Sequence, residues 1–361
     1  MHGRQEESVA LSSSYSVVSS VEGRLQLFRN ELCEPIVGVS NLRRLCVHGI
    51  PEGYDLRSLT WKLVLNLLPP DSSKWRETLE AKRAQYKSFC DELIVVPNDE
   101  NGKTDKLGGM PVCESVDVTH DDHPLALKSD SKWNAFFRDK DVKDQIERDV
   151  MRTHPDMHFF SGDGEEAATH RREMMRALFI YAKLNPGLTY VQGMNEIYAP
   201  LYYIFKRDSD AGNSRGAEAD AFFCFMDLLE DFRDHFCKQL DNSNAGIRAT
   251  ISRLSNMLRH HDEELWCHLE YTNKVNPQFY AFRWITLLLT QEFEFPDVLR
   301  LWDTMLGSPE GRLTWLLKAC VSMLTHVRGE LLAGDFSQNL KLLQNFPPMD
   351  VGEIVLKALE L

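Results

Sequence analysis

The 361-residue sequence lacks the features of a membrane-spanning, secreted or disulfide-bonded chain. No apolar run approaches the roughly 18 residues that a helix needs to cross a bilayer. Residues 1–20 are rich in serine and lack the charged-then-apolar layout of a signal peptide. The eight cysteines are scattered through apolar segments without a Cys-x-x-Cys pair, which favours reduced, buried thiols. We therefore expect a cytoplasmic protein that is recruited to membranes only peripherally, through a partner.

Positive charge is also scarce, because 41 lysines and arginines face 54 aspartates and glutamates, for a net charge of -13. A nucleic-acid backbone requires a basic face, so this balance argues against a nucleic-acid-binding protein. It also disfavours direct adhesion to anionic lipid. The hydrophobic content of 43% is enough for a large core and argues against wholesale disorder.

Segments that alternate with a period of two residues are almost absent, so the sequence predicts few or no strands. Helical spacing recurs instead, as in Leu56, Leu59 and Leu63 on one face. No repeat of fixed period indicates a solenoid. The predicted fold class is all-α, with many short helices.

Several stretches mark the limits of this helical pattern. Residues 1–20 read as a disordered lead, and residues 97–130 read as a loop or insertion rich in proline, glycine, aspartate, lysine and threonine.

Two later segments give specific helix predictions. Residues 278–292 look like one helix. Near the carboxyl terminus, Asp350 and Glu353 have the spacing of a capping box at the start of a last helix.

Arg152 stands where a helical pattern meets a loop. Ile146 and Val150 lie four residues apart and share a helix face, while Asp149 and Arg152 are close enough in sequence to pair. The following His154-Pro155 ends the helix, because proline disfavours helical geometry in the residue before it. Taken alone, Arg152 is an ordinary surface arginine paired with Asp149.

Gln192 stands at a similar junction. Asn185-Pro186-Gly187 ends one helix, and an apolar helix resumes after Tyr190. Gly193 beside Gln192 permits close approach of a partner backbone. Taken alone, the Gln-Gly pair is a turn at the start of a helix.

Three motifs together resemble those of the TBC domain, a family of GTPase-activating proteins for Rab GTPases. They are Arg57-x-x-x-Trp61-x-x-Val64-Leu65, Ile146-x-x-Asp149-x-x-Arg152-Thr153 and Tyr190-x-Gln192-Gly193-Met194. Gly49-Ile50-Pro51 and Arg300-Leu301-Trp302-Asp303 add to the resemblance, which covers roughly residues 36–345. Val64 stands where leucine is usual, a conservative departure. Residues 122–125 and 131–134 resemble the subgroup of this family called member thirteen.

The resemblance implies a two-lobed, all-α TBC domain over residues 21–345. Its N-lobe would span about residues 36–240 and contain both finger motifs, and its C-lobe about residues 241–345. Residues 346–361 would form a helix packed on the C-lobe.

The resemblance also implies a role for each motif residue. Arg152 would be an arginine finger and Gln192 a glutamine finger, both supplied to a GTP-bound Rab. GTP and Mg²⁺ would be carried by the Rab, so the chain would need no cofactor or metal and would have no independent catalytic activity. The expected supporting residues are Asp149, Tyr190, Thr153, Gly193, Arg57 and Trp61, of which the last two serve mainly as scaffold.

Other kinds of function remain open at this point. A Rab-binding adaptor without catalytic effect could use the same surface. A metalloenzyme could use the ligand-rich clusters at residues 120–123 or 260–264, although neither has the His-Glu-x-x-His spacing of a zinc site. A Gly-x-Ser-x-Gly motif and a glycine-rich phosphate loop are both missing, so a hydrolase or nucleotide-binding fold has no support.

Overall fold

The structure is a computed structural model that describes residues 21–94, 132–237 and 246–361, without the side chains of Tyr54 and residues 132–138. The predicted lead at residues 1–20, the predicted insertion at residues 97–130 and the His120–His123 cluster lie outside the described residues.

The described residues form α-helices joined by short turns, which confirms the predicted all-α class. An isolated antiparallel bridge between Ile36 and Asp71 is the extent of β-structure in these segments. The helices are α1 (Val21–Leu32), α2 (Val39–Cys46), α3 (Tyr54–Val64), α4 (Trp75–Leu93), α5 (Lys132–Val150), α6 (His158–Ser161), α7 (Glu165–Leu184), α8 (Met194–Lys206), α9 (Ala211–Arg215), α10 (Ala217–Glu230), α11 (Arg233–Phe236), α12 (Ile247–His261), α13 (Glu263–Cys267), α14 (Ala281–Thr286), α15 (Phe295–Gly307), α16 (Arg312–His326), α17 (Arg328–Ala333), α18 (Phe336–Gln344) and α19 (Val351–Glu360). Ser72–Lys74 and Pro277–Phe279 form 3-10 turns, and His268–Thr272 forms a π-helical turn.

The chain divides into two compact units that are not consecutive in sequence. Unit 1 comprises Met1–Thr78, Arg207–Asp210 and Asp227–Leu361, and unit 2 comprises Leu79–Lys206 and Ala211–Met226. The predicted lobes, by contrast, are consecutive stretches that meet near residue 240. Their boundaries stay a prediction.

Helix α8 is the central element of unit 2. Every residue from Met194 to Phe205 is buried, which is typical of a helix that is apolar on all sides. At its carboxyl end, Lys206 Nζ donates to Glu173 Oε2 on α7 at 2.8 Å. The Tyr202 hydroxyl donates to the same oxygen at 2.6 Å. These contacts hold α8 against α7, and the loop that precedes α8 is held with it.

A buried carboxylate joins three helices of unit 2. Glu218 on α10 accepts hydrogen bonds from Arg176 on α7 and, at 2.6 Å, from the Tyr86 hydroxyl on α4. Burial raises the pKa of Glu218, while the Arg176 guanidinium acts in the opposite direction. A buried carboxylate is tolerated when it is paired and hydrogen-bonded in this way.

Unit 1 is organised around α15 and α16. A Cβ at Gly307, the last residue of α15, would lie 2.4 Å from the Arg43 carbonyl oxygen, so glycine permits α15 to approach α2 closely. Helix α19 packs on α16, where the Ser322 hydroxyl donates to the Ile354 carbonyl at 3.0 Å.

Residues 278–292 do not form the single helix that their apolar spacing predicts. Helix α14 ends at Thr286, and Leu288 and Leu289 adopt φ angles of 50° and 64°. A right-handed helix cannot continue through such left-handed residues. The freed Leu288 carbonyl accepts a hydrogen bond from Trp302 Nε1 at 3.1 Å, a tertiary contact that stabilises the break.

The predicted cap of the last helix is confirmed in part. The Asp350 side chain accepts from the Gly352 amide at 2.8 Å, as an N-cap should. The Glu353 carboxylate, expected to complete a capping box, instead lies 3.6 Å from His326 Nδ1.

Candidate functional site

Arg152 lies on the turn that follows α5, where the helix ends at Val150. Its side chain is 58% exposed, and Nη2 donates to Asp149 Oδ1 at 2.7 Å. Two residues later, His154 adopts a φ of 41°, which turns the backbone away from the helix. The guanidinium is therefore oriented by one charged contact and otherwise faces solvent.

Gln192 lies in the loop that leads into α8, and it is exposed. Positive φ angles of 58° at Thr189 and 103° at Gly193 shape this loop. The Met194 amide donates to the Val191 carbonyl at 3.1 Å and closes the turn around Gln192. The glutamine is thus presented at the amino end of a buried helix, on a loop whose backbone is constrained.

The second Asp149 oxygen connects these two segments. Oδ2 accepts from the Tyr190 hydroxyl at 2.8 Å, while Oδ1 accepts from Arg152. Asp149 and Tyr190 are 3% and 4% exposed, so their bond is shielded from water. Burial, and next the Asp149 charge, raise the pKa of Tyr190 far above its ordinary value, and the phenol remains a hydrogen-bond donor.

Asn195 adds a second connection that sequence reasoning missed. It is 2% exposed, and its Nδ2 donates to Thr153 Oγ1 at 2.9 Å and to the Asp149 carbonyl at 3.3 Å. Its Oδ1 lies 3.2 Å from the Tyr190 hydroxyl, as a second acceptor. Thr153 in turn donates to the Asp149 carbonyl at 3.0 Å, a local contact at the end of the helix. The signal available in the sequence was a lone amide in the first turn of an apolar helix.

His154 and Glu196 lie next to the hydrogen-bonded group of Asp149, Tyr190 and Asn195. Glu196 is 6% exposed, and its Oε1 accepts from Asn195 Nδ2 at 3.0 Å. His154 Nε2 lies 3.7 Å from Glu196 Oε2, and the ring packs on Phe160. Burial lowers the pKa of His154 to about 4, so the ring is neutral near pH 7. The turn that carries Arg152 therefore also contains a neutral imidazole, that of His154.

Arg57 and Trp61 lie in unit 1 and are brought together by Asp303. Arg57 Nε and Trp61 Nε1 donate to Asp303 Oδ1 at 3.1 and 2.9 Å, and the Ile50 amide donates to Oδ2 at 2.9 Å. Arg57 is 8% exposed, and Trp61 and Asp303 are fully buried. The first motif and the Arg300–Asp303 segment thus form an internal cluster of unit 1, which fits the scaffold role predicted for Arg57 and Trp61.

Within the three described segments, histidine, cysteine, aspartate and glutamate side chains form no group of three or more that could hold a metal ion. In the 260–264 cluster, Asp262 is a helix cap that accepts from the Leu265 amide at 3.0 Å, and it pairs with Arg328 Nε at 2.6 Å. None of the helices in the same segments is long and apolar enough to cross a bilayer.

Comparisons with known proteins identify the fold and the family. The Rab-GTPase-TBC domain family profile matches residues 116–332. The chain is 37% identical to TBC1 domain family member 13 of Homo sapiens, over 94% of this chain and 98% of that protein. It is 28% identical to TBC1 domain family member 5 of Homo sapiens, over 94% of this chain and 45% of that protein.

A solved structure shows the same fold. The crystal structure of the Ypt/Rab-GAP domain of Gyp1p superposes with a TM-score of 0.73, covering 95% of this chain and 98% of that one at 23% identity. Together with the family profile and the 37% identity above, this likeness confirms the resemblance read from the three motifs. The chain belongs to the Rab-GTPase-TBC domain family.

Proposed function

We propose that this chain is a GTPase-activating protein for a Rab-family small GTPase, with Arg152 as the arginine finger and Gln192 as the glutamine finger. The observation that carries the proposal is that Asp149 accepts hydrogen bonds from both segments. Its two oxygens accept from Arg152 and from Tyr190, two residues before Gln192. Two exposed polar side chains are thereby held on segments tied to one buried carboxylate.

The chemistry of GTP hydrolysis explains the need for Arg152. Negative charge spreads over the transferring phosphoryl group and the leaving oxygen in the transition state. A guanidinium neutralises this charge with a planar fork of donors, whereas the ammonium of a lysine offers a compact point charge. An arginine supplied in trans accelerates such reactions by roughly 10³ to 10⁵, or about 4 to 7 kcal/mol of barrier.

Gln192 suits the second requirement of the reaction, a water held in line with the phosphoryl group. The glutamine amide can accept a hydrogen bond from that water through its oxygen and donate one to the phosphate through its nitrogen. GTP and Mg²⁺ belong to the GTPase in this proposal, so the chain itself uses no cofactor. It reaches a membrane through the lipid-anchored GTPase.

The Arg152–Asp149 ion pair does not prevent the finger from acting. Asp149 is buried, but the Arg152 side chain is 58% exposed and contacts the carboxylate through Nη2 alone. The other donors of the guanidinium can therefore turn toward a phosphate while Nη2 stays on Asp149. Asp149 then orients the finger without sequestering it.

The test is single-turnover GTP hydrolysis on a panel of purified GTP-loaded Rabs. For a responsive Rab, we expect Gln192→Ala to lower the stimulated rate by roughly 10²-fold, since the loss of one positioned polar group has this order of effect. Gln85→Ala, which removes an exposed glutamine from α4, is the matched control and should leave the rate unchanged.

The outcome also separates this function from that of an adaptor. GTP-dependent binding of a Rab without acceleration of hydrolysis would identify an adaptor and would refute the catalytic role of both fingers. A stimulated rate that Gln192→Ala leaves at the wild-type value would refute the glutamine finger alone.

A further inference from the structure

Met151 is an unusually exposed apolar side chain that lies directly before Arg152. Two large apolar side chains stand out as exposed in the described part of unit 2, Met151 at 57% and Met226 at 36%. Met151 is therefore the more exposed of the two, and it is adjacent to Arg152, the proposed arginine finger.

The helix geometry fixes this exposure. Ile146 and Val150, on the inner face of α5, are each 1% exposed. Met151 comes one residue later, about 100° around the helix axis, so its side chain is directed off that face. Its amide donates to the Glu147 carbonyl at 2.9 Å, and the turn is anchored through Asp149. The methionine is held outward by ordered backbone.

The second finger has a comparable neighbour. Val191 directly precedes Gln192 and is partly exposed, while its amide contacts Met194 Sδ at 3.4 Å. Each proposed finger is therefore preceded by an apolar side chain accessible from outside. The Asp149–Tyr190 bond ties the two segments together.

We propose that Met151, with Val191 on the second segment, forms an apolar rim that binds an apolar patch of the GTPase beside its nucleotide. This inference rests on the proposed function and names the chemistry of the partner surface. Met151 contributes affinity and selectivity among Rabs, while Arg152 and Gln192 contribute to the chemical step.

Three physical arguments support the rim. A closed apolar contact around the fingers excludes water, and Coulombic interactions with the phosphates are stronger in a dry site. Energetically dominant contacts in protein interfaces are enclosed by groups that keep solvent out. Methionine is also suited to such a surface, because its unbranched, polarisable side chain adapts to differently shaped partners.

The experiment separates binding from chemistry. Single-turnover hydrolysis by a responsive GTP-loaded Rab is measured over a range of concentrations of the full chain. We expect Met151→Ala to raise the half-saturating concentration about fivefold, and Met151→Asp to raise it further, because apolar burial is lost and then a carboxylate is buried. The rate at saturation should stay unchanged, since a contact made equally in ground and transition states affects only binding.

Two further variants make the test specific. Met151→Leu keeps an apolar side chain and should restore most of the affinity. Met226→Ala removes the other exposed methionine of unit 2 and should change neither quantity. Unchanged half-saturating concentrations for both Met151→Ala and Met151→Asp would overturn the rim, even where Gln192→Ala still lowers the rate.

Failure of the proposed function is recognised separately. If the wild-type chain accelerates no Rab, the same variants are compared by their affinity for Rabs loaded with a non-hydrolysable GTP analogue. Weaker binding by the Met151 variants would then support the rim in an adaptor. Equal affinity of wild type and variants, or no binding of any Rab, would refute it.

Discussion

At the scale of single residues, Gly193 shapes the loop that presents the glutamine preceding it. Its φ of 103° lies in a region that side-chain-bearing residues rarely adopt, and the residue is buried. A residue with a side chain would be strained there, at a cost on the order of 1 to 3 kcal/mol. Gln192 is the adjacent residue, so we expect relief of that strain to displace it.

We therefore expect Gly193→Ala to lower the stimulated rate at saturation by roughly tenfold or more. A rise of about 1.4 kcal/mol in the activation barrier, caused by a displaced Gln192, corresponds to a tenfold lower rate. Gly164→Ala is the control, because Gly164 has a φ of -70° and a Cβ there would meet nothing within 4 Å. Equal rates for the two variants would show that the Gln192 loop does not depend on the left-handed residue.

Single residues also show how far the sequence could predict the site. The Arg152–Asp149 pair follows from a spacing of three residues at a helix end, and the structure contains it. Asn195 could not be found in this way. Its partner Thr153 lies 42 residues away in sequence, and only the packing of α8 beside the end of α5 brings the two together.

At the scale of elements, the site is the meeting of two helix ends. Arg152 lies on the turn after the carboxyl end of α5, and Gln192 lies just before the amino end of α8. Asn195 joins the two segments through hydrogen bonds to Thr153 and Asp149. If this junction acts by positioning the fingers, its effect on rate must depend on the presence of a finger.

We expect Asn195→Ala to lower the saturated rate about tenfold in the wild-type background, and to have little further effect when Arg152 is already alanine. Such non-additivity is the signature of residues that act as one unit. Hydrogen exchange of amides in the Arg152 turn should also increase in Asn195→Ala, although the substitution lies on another helix. Additive rate losses with unchanged exchange would argue that Asn195 supports α8 alone.

Helix boundaries mark the limit of what periodicity predicts at this scale. Apolar spacing indicates correctly that helices occupy most of the described chain. It cannot reveal the left-handed residues Leu288 and Leu289, because the break is stabilised by Trp302 from another helix. Tertiary contacts decide such boundaries, and a single sequence does not display them.

At the scale of the whole molecule, the first motif belongs to the interior of unit 1, whereas the two motifs with the proposed fingers belong to unit 2. The division into units could not be read from the order of helices, because distant segments are joined by hydrogen bonds. The Ser209 amide, for example, donates to Asp55 Oδ1 at 2.7 Å across 154 positions. Helical periodicity contains no information on such pairings.

Because the first motif is internal to unit 1, the Asp303 cluster should contribute to the stability of the fold. Asp303→Ala leaves Arg57 buried without its carboxylate, and breaking a buried pair typically costs about 3 to 5 kcal/mol. We expect a loss of this size in the free energy of unfolding, measured by urea denaturation. Asp163→Ala, at an exposed position, should stay within about 0.5 kcal/mol of wild type. A loss below about 1 kcal/mol for Asp303→Ala would contradict a structural role for the cluster.

The most direct test of the account is the single-turnover rate of GTP hydrolysis by a responsive Rab at a saturating concentration of the Arg152→Lys variant. Lysine keeps the charge but loses the planar fork, so we expect the stimulated rate to fall by roughly 10²-fold or more. Arg148→Lys, one turn earlier on the exposed side of α5, is the matched control and should behave as wild type. A saturated rate for Arg152→Lys equal to that of Arg148→Lys would contradict the assignment of Arg152 as the arginine finger.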